Sequence, residues 1–154
     1  MRLSKKGEYA IRALIALAMN YESSNKGLMQ THEIVQQENI PGKFLEQILL
    51  MLRNAGYLQS KRGIGGGYYL NRPPHKITLG EVIRLFDGPL APLSCVSKTA
   101  HVTCEREASC GLYNVMYQVR KVTVEILDRI TLADVCDHNK GDIFKKDEIL
   151  MFQI

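Results

Sequence analysis

Three of the four cysteines, Cys95, Cys104 and Cys110, lie close together in the chain, separated by eight and then five residues. Clustered thiols in a chain that lacks a secretory signal indicate metal ligands or redox-active groups more often than structural disulfides. No pair has the Cys-x-x-Cys spacing of common zinc ribbons, so structural zinc is not favoured. Thiolates are soft ligands that suit an iron–sulfur cluster, and a long irregular segment can wrap one.

Three thiolates leave one ligand position of such a cluster open. Glu8, His101 and Tyr113 are the candidates for it, and a weak oxygen ligand or an exposed site would make a cluster labile, as in a sensor. Three unliganded cysteines in a flexible loop explain the spacing equally well. Cys136 stands apart from the cluster, and we interpret it as a thiol without a role in it.

The segment from Ile40 to Leu70 has a pattern that organises the rest of the chain. Its first half predicts an amphipathic helix from Lys43 to Asn54, with Gly56 as the left-handed residue that ends it. Two short strands, Tyr57–Ser60 and Tyr68–Leu70, flank a glycine-rich turn and predict a β-hairpin. With Lys61 and Arg62 at its rim, this unit is typical of a winged helix-turn-helix DNA-binding domain, in which basic side chains meet phosphates or a minor groove.

The glycine run at 63–67 could also be interpreted as a phosphate-binding loop. Such a loop must lead into a helix, and Walker-type loops also need Gly-Lys-Ser or Gly-Lys-Thr. Here the glycines lead into Tyr68, Tyr69 and Leu70, which are typical of a strand. The sequence therefore disfavours nucleotide binding.

Length and charge limit the class of protein. The 154 residues, 45% of them hydrophobic, suffice for one domain with an extension. No apolar run reaches the roughly 18 residues of a membrane span, and the amphipathic start lacks a signal cleavage site, so we expect a cytoplasmic protein without membrane association. Residues 1–76 carry a net charge of +6 and residues 77–154 carry −2, which suggests that the first half meets a polyanion.

The remaining periodicities predict a mainly α fold with one small β-hairpin. A first helix spans Ser4–Asn20 with Ser4 as its cap, a second spans Thr31–Gln37 with Thr31 as its cap, and Thr78 and Glu81 form a capping box for a helix over Leu79–Phe86. Apolar residues at near-heptad spacing predict a long helix over 111–133, which either packs in the core of one chain or pairs with its copy in a dimer. We divide the chain into a DNA-binding domain (1–86), a cysteine loop (87–110), a dimerisation helix (111–133) and a tail (134–154), in which Ile143, Phe144, Ile149, Leu150 and Phe152 predict one or two amphipathic turns.

Catalysis is disfavoured. A nucleophilic cysteine needs an oriented base, and none of the four histidines, His32, His75, His101 and His138, has a recognisable triad context. The chain is therefore predicted not to be an enzyme. A protein-interaction module whose basic face meets an acidic partner stays as another class, and a shallow salt dependence of DNA binding would favour it.

Several motifs together resemble the Rrf2 family of bacterial regulators, which includes the iron–sulfur cluster regulator and nitric-oxide-sensing repressors. They are residues 1–10 (MRLSKKGEYA), Phe44-Leu-Glu-Gln47, Arg62-Gly-Ile-Gly-Gly-Gly-Tyr68, Gly80-Glu-Val-Ile-Arg84 and the three-cysteine loop before a long helix. The resemblance implies a homodimeric winged-helix transcription regulator, mostly a repressor, bound to a palindromic operator in double-stranded DNA.

The resemblance also implies roles for individual residues. Lys43, Glu46 and Gln47 would face bases in the major groove, and Lys61 and Arg62 would lie on the wing. Cys95, Cys104 and Cys110 would hold a cluster, of the 2Fe–2S type with 4Fe–4S as the other choice, and Glu8 of the partner subunit or His101 would complete it. The first cysteine pair is eight residues apart rather than five, and Tyr113 stands where the iron–sulfur cluster regulator has histidine. A cluster-free regulator that responds by thiol chemistry or to an effector is the alternative.

Overall fold

The computed structural model describes residues 2–22 and 24–137. Within them the chain forms six α-helices and one two-stranded antiparallel sheet, which confirms the mainly α fold with a small hairpin. The elements are α1 Lys5–Met19, α2 Thr31–Glu38, α3 Gly42–Asn54, β1 Leu58–Lys61, β2 Gly67–Leu70, α4 Leu79–Asp87, α5 Gly111–Arg129 and α6 Leu132–Asp137. None of these helices is long and apolar enough to cross a membrane.

Helix α1 lies at the centre of the core and packs against α2, α3, α4 and α6. Ala10, Ala13 and Ala16 are fully buried on it, and their small side chains let the neighbouring helices approach closely. The hydroxyl of Ser4 accepts the N–H of Gly7 at 3.0 Å, so the predicted cap is confirmed. The backbone N–H of Ser4 also donates to Asp87 at 3.1 Å, which joins the start of α1 to the end of α4.

The turn between α2 and α3 has the predicted position, with one correction at the start of α2. Gln30, rather than Thr31, is the N-cap residue, and Glu33 accepts the Gln30 N–H at 2.6 Å to complete a capping box. Asn39 adopts a left-handed conformation with φ 51° after α2 ends. Arg12 on α1 binds Glu38 at 3.2 Å, so the turn is held on the central helix.

The hairpin pairs Leu58 with Leu70 and Lys61 with Gly67. Tyr68 also exchanges two backbone hydrogen bonds with Met29, at 2.9 and 2.8 Å, so the hairpin is anchored to the segment before α2. This approach requires glycine at position 67, because a Cβ there would overlap the carbonyl oxygen of Met29. The glycine run therefore serves a hairpin, in agreement with the expectation against a phosphate loop.

We expect Gly67→Ala to lower the free energy of unfolding by about 2–4 kcal/mol, since the new methyl group separates Met29 from Tyr68 and removes two backbone hydrogen bonds. Urea denaturation followed by circular dichroism measures the change. Gly111→Ala is the matched control, because a Cβ at Gly111 meets no atom within 4 Å. Equal stability of the two variants would contradict this account of the hairpin.

The long helix ends earlier than predicted. Helix α5 stops at Arg129, the backbone becomes extended at Ile130, and α6 begins at Leu132. The N–H of Leu79 donates to the Ile130 carbonyl and the N–H of Leu132 donates to the Ile77 carbonyl, both at 2.9 Å, so this junction pairs with the residues at the start of α4. Leu132 is fully buried, and its place in the core explains why the apolar periodicity continued past the end of the helix.

Helix α6 packs against α1 and therefore belongs to the core. Cys136 is half-buried on it, and burial raises the pKa of its thiol. The expectation that this cysteine lies in a separate tail was wrong. The amphipathic turns predicted beyond it, at Ile143, Phe144, Ile149, Leu150 and Phe152, lie outside the described residues.

Asp134 and Thr131 form a reciprocal cap at the start of α6. The Thr131 hydroxyl and N–H donate to the Asp134 carboxylate at 2.6 and 2.8 Å, and these bonds lower the pKa of Asp134. A lowered pKa means that the cap stabilises the fold above the ordinary aspartate value of 3.8 and that this contribution is lost as the pH falls through the folded-state value.

We expect Asp134→Ala to destabilise the chain by about 1 kcal/mol at neutral pH, as other cap removals do. The difference from the unsubstituted chain should vanish once the pH is well below 3.8. Thermal unfolding across an acidic pH series measures this, with Glu125→Ala on the exposed face of α5 as control. A difference that persists in acid would contradict the cap.

Candidate nucleic-acid interface and cysteine segment

Helix α3 has one buried and one exposed face. Its buried residues are Leu45, Ile48, Leu49 and Leu52. Lys43, Glu46 and Gln47 are exposed on the other face, as predicted, and none of the ion pairs between described residues engages Lys43 or Glu46. These side chains are free to meet a ligand, and their contact with bases stays a prediction.

The hairpin tip carries Lys61 and Arg62, both exposed and without an ion pair to any described residue. Ile64 is fully exposed beside them, an apolar side chain that the sequence analysis did not single out. Apolar residues next to arginine can insert at the minor groove of DNA. The tip therefore combines the charge and the shape expected of a DNA-contacting wing.

A cleft of about 540 Å³ separates this hairpin from the start of α2. Arg53, Lys61 and Arg62 supply cations to it, and no Asp or Glu is among its lining residues. The N-terminus of α2 adds the partial positive charge of its free N–H groups. Sequence reasoning missed Arg53, although its place in the last exposed turn of α3 was a usable signal.

The base of the hairpin is fixed by side-chain contacts. The Tyr69 hydroxyl donates to Gln59 at 2.7 Å, and Gln59 in turn donates to Asn71 at 2.7 Å. Arg72 stacks over the ring of Tyr57 at 4.8 Å and pairs with Glu81 at 3.5 Å. Arg72 is thus engaged by Tyr57 and Glu81 within the domain rather than placed at the hairpin tip with Lys61 and Arg62.

The segment between α4 and α5 is irregular apart from short 3₁₀ turns at Ser94–Val96 and Glu107–Ser109, as predicted. Cys95 lies half-buried in the first turn, next to the buried Val96. Cys104 is exposed. Cys110 is half-buried at the start of α5, where its Sγ accepts the N–H of Tyr113 at 3.4 Å. All three thiols are free, and Cys104 is the most exposed of them.

Contacts around Cys104 form one small turn. Its backbone N–H donates to Glu107 at 3.0 Å, and the other neighbour of that carboxylate is His101, with Nε2 3.2 Å from Oε1. Across the described part of the chain, no three His, Cys, Asp or Glu side chains converge in a way that could hold a metal ion. Cys95, Cys104 and Cys110 match an iron–sulfur cluster in donor type, but they do not converge in this structure, and cluster binding by them stays a prediction.

Glu8 is engaged within α1. Its carboxylate lies 2.8 Å from Lys5 and 3.9 Å from Arg12, and the hydrogen bond from Lys5 lowers its pKa. At neutral pH the side chain is therefore a carboxylate anion, which could act as an oxygen ligand. It lies beside a cavity that Ser4 and Asp87 also line. The structure of the single chain does not bring Glu8 into a common metal site with the cysteines.

Helix α5 leaves the first half of its apolar stripe uncovered. Leu112 and Val115 are each 56% exposed and Val119 is 47% exposed. Further along the stripe the burial increases, until Ile130 is buried in the core. An uncovered row of large apolar side chains indicates an interaction surface, and pairing with a second copy stays the predicted use.

An α2–turn–α3 unit with a polar outer face on α3, followed by a basic hairpin, defines a winged helix-turn-helix protein of the DNA-binding class. Residues 3–138 match the model of the Rrf2 family, described as iron-dependent transcriptional regulators. The chain belongs to this family and is a transcription regulator.

Individual relatives agree with this assignment. An Rrf2-like HTH-type transcriptional regulator of Rhodobacter capsulatus is 36% identical over 86% of this chain and 91% of its own. The structure of CymR (YrzC), the global cysteine regulator of B. subtilis, is similar with a TM-score of 0.73 and 32% identity, over 92% of this chain and 99% of CymR. The structure of T. potens IscR has a TM-score of 0.71 and 27% identity, over 97% of this chain and 96% of its own. These relatives are regulators rather than enzymes.

Proposed function

We propose that this chain is a homodimeric, sequence-specific regulator, mostly a repressor, whose affinity for a palindromic operator depends on an iron–sulfur cluster at Cys95, Cys104 and Cys110. The single observation that carries the proposal is the position of Cys110. Its sulfur caps α5, the helix whose exposed apolar stripe we propose as the surface for pairing. A change at this thiol is therefore a change at the start of the dimerisation helix.

The DNA-binding part of the proposal uses residues 1–86. Lys43, Glu46 and Gln47 read bases in the major groove from the exposed face of α3, and Lys61 and Arg62 contact the backbone or minor groove from the hairpin. Two copies joined through α5 present two such units, and a symmetric dimer calls for a palindromic site. Such a regulator acts in the cytoplasm, where bacterial DNA lies.

The three cysteine thiolates would hold the cluster, of the 2Fe–2S type or, as the other choice, 4Fe–4S. His101 beside Cys104 or Glu8 of the partner subunit would supply the fourth ligand. When bound, the cluster supplies a redox-sensitive and labile link between the thiolates. The N–H of Tyr113 that donates to Cys110 would remain as a hydrogen bond to the ligating sulfur, a contact of the kind that tunes such sites.

The chain's own residues provide the coupling. The first turn of the segment is fixed by the buried Val96 and Ser97, and its last thiol caps α5. Drawing Cys104 and Cys110 toward Cys95 changes the distance between the fixed turn at Val96 and Ser97 and the start of α5. This biases the population of dimer arrangements and hence the spacing of the two recognition helices.

Anaerobic purification followed by absorption spectra and iron and sulfide assays tests the proposal. We expect a coloured, iron-containing protein whose operator affinity differs from that of the metal-free form. Cys104→Ser should lose the iron, and its operator affinity should then equal that of the metal-free form. Cys136→Ser is the matched control, because this half-buried thiol on α6 lies apart from the segment. A colourless, iron-free dimer with full operator binding would end the cluster mechanism.

A second candidate is a cluster-free regulator of the same fold that responds by thiol oxidation or to an effector. The observation in its favour is that the three thiols are free and do not converge in the described chain, and CymR, a relative, is named as a cysteine regulator. It predicts operator affinity that changes with oxidant in metal-free protein. Alkylation of Cys95, Cys104 and Cys110 should abolish that response while DNA binding survives.

A further inference from the structure

A cavity of about 420 Å³ lies between the end of α4, the start of the cysteine segment and the middle of α5. Leu90 and Val124 form part of its apolar wall, and Ser97 and Thr99 add hydroxyl groups. The volume is in the lower part of the range found for small-molecule sites. Neither the nucleic-acid surface nor the three cysteines line this cavity.

Arg120 on α5 is the unusual residue of the cavity. Its side chain is only 8% exposed, yet it forms no hydrogen bond or ion pair with any described residue. No fully buried side-chain nitrogen of the described residues lacks a partner, so the guanidinium of Arg120 keeps a small exposure, and Arg120 is among the residues that line the cavity. A buried, unpaired guanidinium is unfavourable unless an anion joins it.

The acidic residue of the cavity does not serve as that partner. Asp128 accepts two hydrogen bonds from Arg84, at 2.7 and 2.8 Å, and this pairing raises the pKa of Arg84. Gly80 permits the arrangement, because a Cβ there would overlap the Asp128 carboxylate. Lys98, at the rim, is exposed and forms no ion pair with a described residue. Among the described residues, the positive charges of Arg120 and Lys98 therefore have no anionic partner.

We propose that this cavity is a binding site for a small organic anion with a carboxylate or phosphate head. The guanidinium of Arg120 binds two oxygens of the head group in its planar fork, and Lys98 adds a second charge. The Ser97 hydroxyl accepts the N–H of Ala100 at 3.0 Å and keeps its own proton to donate to the anion. A short apolar tail fits against Leu90 and Val124.

The site lies next to the cysteine segment in the chain. Only Val96 separates Cys95 from Ser97, Lys98 and Thr99 in the sequence. A bound anion would link Lys98 and Thr99 to Arg120 on α5, just after the buried first turn of the segment. The proposal does not depend on a cluster, because the binding of an anion can be measured on metal-free chain.

Titration calorimetry of the metal-free full chain tests the site, with methyl phosphate, propionate and the neutral propionamide as probes at constant ionic strength. We expect saturable binding of at least one anion, one per chain, and none of propionamide. Arg120→Met should lower the affinity by about tenfold or more, as the loss of a charge-assisted pair does. The comparison of methyl phosphate with propionate identifies the head group.

Two matched controls remove one positive charge elsewhere. Lys121→Gln, on the exposed side of α5, and Arg62→Gln, on the hairpin tip, should leave anion affinity unchanged. Loss of binding in Arg62→Gln would place the anion at the DNA surface and overturn the proposal. Absence of binding for both anions would overturn it as well.

Thermal unfolding separates a ligand site from a structural role. Without anion, Arg120→Met should unfold at the same or a higher temperature, since it removes an unpaired buried charge, and it should lose the anion-dependent increase of the unsubstituted chain. If Arg120→Met fails to fold, Arg120 has a structural partner and the proposal is wrong. Lys98→Gln, at an exposed position, gives an independent check, and unchanged anion affinity in that variant would also contradict the site.

Discussion

Replacing Lys43 and Arg62 together with glutamine is expected to weaken binding to the operator by about 100-fold, since each removes a contact worth roughly 1–3 kcal/mol. Lys43 lies on the exposed face of α3 and Arg62 on the hairpin tip. Neither has an ion pair within the described residues, so their removal leaves no new unpaired charge in the fold.

Fluorescence anisotropy with a duplex obtained by binding-site selection, at several salt concentrations, measures this effect. The slope of the logarithm of affinity against the logarithm of salt should become shallower by about 2 if both cations meet phosphates, and by less if Lys43 meets a base. Lys121→Gln removes a charge from α5 and serves as control. Unchanged operator affinity in the double variant would refute the proposed DNA-binding surface.

A second large effect is expected from charge on the exposed stripe of α5. Val115→Glu combined with Val119→Glu places carboxylates on the surface proposed for pairing, where desolvated charges without partners are strongly unfavourable. Both valines are about half exposed in the single chain, so the monomer fold should tolerate the change. The variant should be monomeric and should bind the palindromic operator about 100-fold more weakly, because the two half-sites are no longer linked.

Sedimentation equilibrium across micromolar concentrations gives the oligomeric state of this variant, and circular dichroism confirms that its helices persist. The control is again Lys121→Gln. It also makes the net charge of α5 more negative, but at a position that does not belong to the apolar stripe. If the unsubstituted chain is itself monomeric, or if the double variant still dimerises, then α5 is not the pairing surface.

Local signals in the sequence were sufficient for most of the first hundred residues. Ser4 and the Thr78–Glu81 capping box mark helix starts because their side chains satisfy N–H groups that the helix leaves free. Gly56, with φ 80°, ends α3 where a glycine was expected to do so. These features depend on residues a few positions apart, which is why they can be interpreted from the chain alone.

Features that depend on distant contacts were missed. The break after Arg129 arises from backbone pairing of Ile130 and Leu132 with Leu79 and Ile77, and apolar spacing cannot reveal such pairing. Arg72 follows the hairpin in the sequence, and only the structure shows that Tyr57 and Glu81 engage it within the domain. That Arg120 has no partner among the described residues is visible only once the cavity around it is formed.

The junction between α5 and α6 also has a mechanical meaning. Because Ile130 and Leu132 are hydrogen-bonded to Leu79 and Ile77 at the start of α4, the C-terminal end of α5 is held to the domain that carries α3. A helix of 19 residues is about 28 Å long, so a displacement of about 3 Å at its Cys110 end tilts it by about 6°. In the proposed dimer, such a tilt would rotate each DNA-binding domain and would change the angle between the two α3 helices.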